Sequence, residues 1–281
     1  MSHSALYAYS RTRRIVAAVL TASSRLSLPV IGLAVGFVIG GSVPLLALVR
    51  IVTVFAVLPA AAAWMIARAS TVTAEIRDGI FTLSRTGLRI EVPCAAIVRI
   101  APWRLPLPQP GFSLEMRSGR RLGYGLAGVD PAEHVSVLAG ALADDAARAA
   151  MRHPMVRYAH AKRTASRRWY QLTAKFGAFS LLPTAIWFNA HQHIAYGGLL
   201  GQYYLEGFRP YAKTWLISWA LTSIYLVLYA SVWRGLAETL AWSAAWMAPT
   251  RITGMRRVVE IVCGVAYYVG VPILVVLPFV R

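Results

Sequence analysis

Hydrophobic positions in this chain fall in long runs rather than in periodic stripes. From Leu26 the residues read LSLPVIGLAVGFVIGG, Ser42-Val43-Pro44 interrupts, and LLALVRIVTVFAVLPAAAAWMIA follows to Ala67. A bilayer core needs about 20 apolar residues per helix, and glycine and proline punctuate helices. The pattern therefore predicts two spans, near 23–41 and 45–67, joined by a tight hairpin. Arg50 would sit one turn inside the second and snorkel to the interface. After Lys175, FGAFSLLPTAIWFNA predicts a third span near 175–190. A polar, aromatic stretch leads to a fourth near 214–233, and the last apolar run gives a fifth near 258–280. The mixed segment between them, Arg234 to Arg257, reads either as an interfacial helix or as an extension of span four.

Between Arg68 and Lys175 no run is long enough to span, and residues 72–126 alternate as strands do. Val72, Ala74 and Ile76 share a parity ahead of an Asp78-Gly79 turn. Ile80–Leu83 and Leu88–Val92 flank Ser84-Arg85-Thr86-Gly87, where glycine can supply the positive φ of a hairpin. Ile97–Ile100 is a further short strand, and Phe112–Met116 and Leu122–Tyr124 flank a second hairpin at Ser118–Arg121. The stretch from Pro102 to Pro110 is too proline-rich for a central strand and reads as a loop. Asp130-Pro131-Ala132-Glu133 then carries an N-cap, a first-turn proline and a capping-box acid. An alanine-rich helix follows to about Arg152.

This order of elements resembles bacterial pleckstrin-homology-like domains: a first strand, "DGI" opening the next, a "GLRIEVP" arm, a short "IVRI" strand, a long loop, "LEMRSGRRLGYGL" and a capping helix. The resemblance covers about 70–150 and rests on strand order. It implies a small β-roll closed by a C-terminal helix, of a kind often fused to membrane helices in bacteria. The expected fold is thus an α-helical polytopic membrane protein of five spans with an inserted α+β roll. The boundaries are 1–69 for the N-terminal segment and hairpin, 70–152 for the roll, 153–174 for a basic linker and 175–281 for the C-terminal membrane region.

Composition agrees with a membrane protein: 57% of the 281 residues are hydrophobic, 14% are charged, and the mean hydropathy is +0.54. The net charge of +18 would suggest nucleic acid in a soluble protein. In a membrane protein it reflects basic residues gathered on the cytoplasmic side, facing anionic headgroups, so no nucleic-acid partner is expected. With the N-terminus inside, 25 of the 29 basic residues fall on the cytoplasmic side. That places the roll in the cytoplasm and the C-terminus outside, in a bacterial inner membrane. Cys94 and Cys263 show no disulfide or metal spacing.

Candidate chemistry is sparse. Arg104, Arg117, Arg120 and Arg121 lie on predicted loops and turn tips, and Arg163, Arg167 and Arg168 precede span three. Together they could bind a partner protein or anionic lipid. His191 and His193, with Glu206, are weak metal-ligand candidates, since two histidines two apart on a helix point about 200° apart. The surrounding segment, His191 to Tyr211, is the place where a membrane enzyme or transporter would have its site. Glu238 and Glu260 lie near arginines and read as interfacial ion pairs, while Gly32, Gly36 and Gly40 have a Gly-x-x-x-Gly spacing that invites close helix packing or self-association. No catalytic set or cofactor motif emerges. The resulting expectation is an accessory, scaffolding or regulatory protein whose partners are membrane lipids and another membrane protein or a second copy of itself.

Overall fold

A computed structural model describes residues 6–38, 43–140, 144–165 and 169–280. Seven strands form one antiparallel sheet: β1 (Leu6–Ser10), β2 (Thr71–Arg77), β3 (Ile80–Arg85), β4 (Leu88–Pro93), β5 (Ile97–Pro102), β6 (Gly111–Met116) and β7 (Tyr124–Gly128). Their order is β4-β3-β2-β1-β7-β6-β5. The helices are α1 (Arg11–Leu33), α2 (Leu45–Val52), α3 (Leu58–Arg68), α4 (Pro131–Ala139), α5 (Asp144–Arg152), α6 (Pro154–Thr164), α7 (Trp169–Thr173), α8 (Leu181–Tyr196), α9 (Gly201–Glu206), α10 (Phe208–Met247), α11 (Ile252–Tyr268) and α12 (Gly270–Val280). Single π turns extend α1, join α2 to α3 and follow α7. The chain divides into two compact units, residues 1–25, 54–166 and 238–258, and residues 26–53, 167–237 and 259–281.

In the first unit the expected hairpins are present. Asp78 and Gly79 both take positive φ, 52° and 74°, as the two-residue turn between β2 and β3 requires. Gly87 does the same between β3 and β4. One face of the sheet buries Leu6, Val72, Phe81, Leu83, Ile100, Phe112, Leu114 and Leu126 against Val135 and Leu138 of α4 and Ala147 and Ala150 of α5. Asp130 caps α4 by accepting from the Ala132 N–H at 3.0 Å.

The strand the sequence does not announce is β1. It pairs with β7 along its full length and with β2 at Leu6–Val72 and Tyr7–Thr71, and so occupies the centre of the sheet. Its alternation sends Leu6 and Ala8 into the roll's core, while Tyr9 packs with Ala17 of α1, Ala67 of α3 and Ala127 of β7. The sheet module therefore begins at Leu6 rather than at residue 70. The segment expected to be a linker, 153–174, also carries α6, which buries Met155, Val156, Tyr158, Ala159 and Ala161.

Four described helices are long and apolar enough to cross a membrane: Arg11–Phe37, Leu45–Arg68, Phe208–Met247 and Ile252–Val276. Their apolar side chains point outward, as with Leu26, Val30, Phe37 and Leu46, the sign of helices solvated by lipid. The expected third span, at 175–190, is not among them. The regular helical hydrogen bonding is interrupted there at Phe179–Ser180, both of which keep helical dihedrals, and the Ser180 hydroxyl donates to the Gly177 carbonyl at 2.7 Å. The 16 residues of α8 measure about 24 Å, short of the roughly 30 Å core. The first helix starts at Arg11, twelve residues before the expected span, and the segment after span four extends it to Met247 before a break at Pro249.

In the second unit small and hydroxylated residues set the packing. A Cβ at Gly32 would lie 2.9 Å from the Leu228 carbonyl oxygen, so this glycine marks a close helix approach within the chain, whereas Gly36 faces open space. Gly40 lies outside the described residues. Ser180 accepts from the Trp219 indole and from Ser223, each at 2.9 Å. Such bonds satisfy polar groups where no water can.

The central position of β1 makes it a test of the module. Ala8 donates its N–H to the buried Ser70 carbonyl at 2.8 Å. Ala8→Pro removes that donor, and the orphaned carbonyl alone costs about 1–3 kcal/mol. Thermal unfolding of the full chain should show the sheet melting early, and a fragment of residues 70–152 should show no cooperative transition.

Candidate functional site

Of the seven arginines singled out above, the structure gathers four at one edge of the sheet. β5 is the edge strand, and Arg104 follows it on the proline-rich loop. Arg117 and Arg120 stand exposed on the turn after β6. Arg121 pairs with Glu115 at 2.8 Å, and Arg99 of β5 approaches the same carboxylate from the other side at 3.8 Å. Arg121 also interacts electrostatically with Arg14, at the start of α1, which in turn feels Arg11. The Arg14 guanidinium sits over the Trp103 ring, 4.6 Å from its centroid. The result is a band running Arg104, Arg99, Arg121, Arg14, Arg11, with Arg117 and Arg120 beside it and the Glu115 carboxylate between two members.

Trp103 is held by glycine. A Cβ at Gly125 would meet its ring at 2.5 Å and one at Gly111 at 2.8 Å, and its indole N–H donates to the Ser113 hydroxyl at 3.1 Å. The indole thus lies against bare backbone and presents its ring to Arg14, a cation–π contact worth about 0.5–2 kcal/mol.

Arg163 is placed elsewhere: on α6, bonded to Glu133 of α4 at 3.2 Å. The expected capping-box acid thus takes part in an interhelical pair. Arg167 and Arg168 lie outside the described residues. His191 and His193 are exposed on the regular helix α8, with the buried Gln192 between them. Gln192 bonds to Gln202, whose amide reaches Glu206 at 2.8 Å and Thr214 at 3.1 Å. Glu206 therefore joins an amide network, and the structure does not bring it together with both histidines. Among the described residues no three His, Cys, Asp or Glu side chains are grouped to hold a metal.

The most enclosed ionic cluster includes the expected pairing of Glu238 with an arginine, but its α6 members were not anticipated. Arg256 of α11, 2% exposed, holds Glu238 of α10 through two bonds, at 2.7 and 3.2 Å. The same carboxylate accepts from Tyr158 and, at 3.1 Å, from Lys162, both on α6. Tyr158 and Lys162 are four apart and share a helix face with Met155 and Ala161, which pack on Ala241, Ala244, Ala245 and Ile252. The opposite face of α6 sends His160 to Asp130 at 3.0 Å and Arg163 to Glu133. Burial, then the Glu238 charge, raises the Tyr158 hydroxyl above the usual tyrosine range. Burial lowers Lys162, with Glu238 pulling the other way. The composition of α6, basic and polar, suggested a solvated linker; its geometry makes it a wedge between two partners within the unit. Glu260 pairs with Arg234 at 2.5 Å.

His153 caps α6, its Nδ1 accepting from the Met155 N–H at 3.2 Å. Acceptance requires an unprotonated Nδ1. Burial, then the charges of Arg104 and Arg99, hold the imidazole below its ordinary value, which favours that form.

The chain matches no known protein family, no curated protein and no solved structure. The geometry alone carries the functional reading.

Two measurements follow from these contacts. Glu238→Gln leaves Arg256 and Lys162 uncompensated in a largely enclosed site, and removing one partner of such a pair costs about 3 kcal/mol. Intrinsic-tryptophan thermal melts should show that loss, and Glu238→Leu combined with Arg256→Met and Lys162→Met should recover most of it. Because His153 is depressed in the folded state, its contribution is complete above the unfolded value of about 6.5 and is lost as pH falls through the lower folded value. The melting temperature should therefore fall on acidification in that window by more in the native chain than in His153→Asn, which keeps a cap without titrating.

Proposed function

We propose that this chain is an accessory or regulatory membrane protein whose sheet module, of pleckstrin-homology-like type, lies on the cytoplasmic face of a bacterial inner membrane and engages anionic headgroups. The observation that carries the reading is the basic band, because it is continuous with a helix that is apolar enough to enter the bilayer. Arg11 and Arg14 belong to that helix and Arg99, Arg104, Arg117, Arg120 and Arg121 to the sheet edge beside its first turn. No linker separates the two: β1 ends at Ser10 and α1 starts at Arg11. A module so attached stays within reach of the headgroups. A negatively charged leaflet attracts each arginine near its surface by about 1 kcal/mol, and salt weakens the attraction. The excess of basic residues in the segments assigned to the cytoplasm supports the same orientation.

In nanodiscs, hydrogen exchange of the full chain reads this directly. Residues 99–121 should exchange more slowly in discs containing phosphatidylglycerol than in phosphatidylcholine alone. The difference should shrink as salt rises, and Arg104, Arg117 and Arg120 replaced by glutamine should remove most of it. Equal exchange in both discs would overturn lipid engagement and leave the band as a surface for a protein partner.

A further inference from the structure

A cleft of about 450 Å³ opens between β1, α1, α3 and the proline-rich loop, all within the first unit. Its lining includes Tyr9 of β1, Ser24 and Arg25 of α1, Trp64 and Arg68 of α3, and Gln109 of the loop. Tyr9 is 1% exposed, yet its hydroxyl finds no hydrogen-bond partner among the described residues, and neither does the Gln109 amide oxygen. A buried hydroxyl without a partner is a cost that folding ordinarily avoids, and here two orphaned polar groups face one cavity. Burial, with a smaller effect of Tyr7, pushes the Tyr9 hydroxyl up to about 12, so it remains an O–H donor throughout the physiological range.

The charge and the apolar surface of the cleft point to the same occupant. Arg25 is the last basic residue of α1 and precedes LSLPVIGL, and Arg68 ends the apolar run LPAAAAWMIAR of α3. Both guanidiniums are exposed, and Arg68 sits 5.4 Å from the Trp64 ring centroid. Arginine and tryptophan at the end of an apolar helix are where headgroups lie. Ala60 and Ala63, on the lining with Trp64, continue the wall along the apolar helix. A free phosphate ion would use the arginines and leave that wall wet; a phospholipid uses both.

We propose that the cleft binds one anionic phospholipid, with its phosphate between Arg25 and Arg68, the Tyr9 hydroxyl donating to a phosphate oxygen, and an acyl chain along Ala60, Ala63 and Trp64. The proposal rests on the membrane reading above but not on the basic band. Native mass spectrometry of the full chain in mild detergent tests it. One phosphatidylglycerol should remain bound where phosphatidylcholine is stripped, and excess inorganic phosphate should not displace it. Arg25→Gln with Arg68→Gln, and separately the near-isosteric Tyr9→Phe, should each weaken retention at least tenfold. Arg104→Gln with Arg120→Gln should leave it unchanged. Equal retention of the two lipids, displacement by phosphate, or loss in the band variant as well would overturn the site. If retention fails while residues 99–121 still show lipid-dependent exchange, the cleft is wrong and the band reading stands.

Discussion

The structure depends on a single junction of the backbone. Strand β1 ends at Ser10 and helix α1 begins at Arg11, so the central strand of the sheet and the first apolar helix are one continuous piece of chain. Two residues separate the end of α3 from β2, which pairs with β1. Strand β1 must donate and accept on both edges, to β2 and β7, while its side chains alternate between the roll's core and the two helices. The sheet cannot turn freely against these helices without breaking backbone hydrogen bonds that have no substitute once buried. The position of the basic band relative to α1 follows from that constraint, and so does the cleft beside Tyr9.

A second constraint operates through α6. A carboxylate contacted by a guanidinium, an ammonium and a phenol is satisfied on every side, which is the condition under which an enclosed ion can be tolerated. Glu238, Arg256, Lys162 and Tyr158 meet it together, and each comes from a segment that looked solvated or interfacial in isolation. Such clusters add little net stability over a well-packed apolar alternative, but they reject misplacement strongly. Helix α6 can occupy one register, because only that register brings Tyr158 and Lys162 to Glu238 on one face and His160 and Arg163 to Asp130 and Glu133 on the other.

Much of the architecture was legible in the chain where the signal is local. The apolar runs located all four long helices, the Asp78-Gly79 and Thr86-Gly87 turns located two hairpins, and Asp130-Pro131 located the start of α4. What escaped was non-local. LYAYS is five residues long, and it is a strand only because two distant strands flank it. The first turns of α1 carry three arginines and therefore looked like a tail in front of the membrane. The expected third span is not among the four long helices: its composition is apolar, but the regular helical hydrogen bonding is interrupted at Phe179–Ser180, which leaves α8 with 16 residues. Of the candidate arginines, the four expected on loops and turn tips fall at one edge of the sheet, an arrangement that strand order alone did not indicate, and Arg11, Arg14 and Arg99, which complete the band, were visible only as topology signals or strand residues. Of the Glu238 cluster only the pairing with an arginine was legible; Tyr158 and Lys162 were not, since the members are separated by up to 98 positions, Tyr158 to Arg256.

The central claim is that the sheet module is held rigidly on the first apolar helix. Spin labels at cysteines replacing Arg13 on α1 and Arg120 on the sheet edge, in the full chain with Cys94 and Cys263 replaced by alanine, measure that directly by pulsed electron resonance in nanodiscs. Continuity of β1 with α1 predicts a single narrow distance distribution, the same in neutral and anionic lipid. A broad or multiple distribution would mean a flexible tether, and would contradict the account.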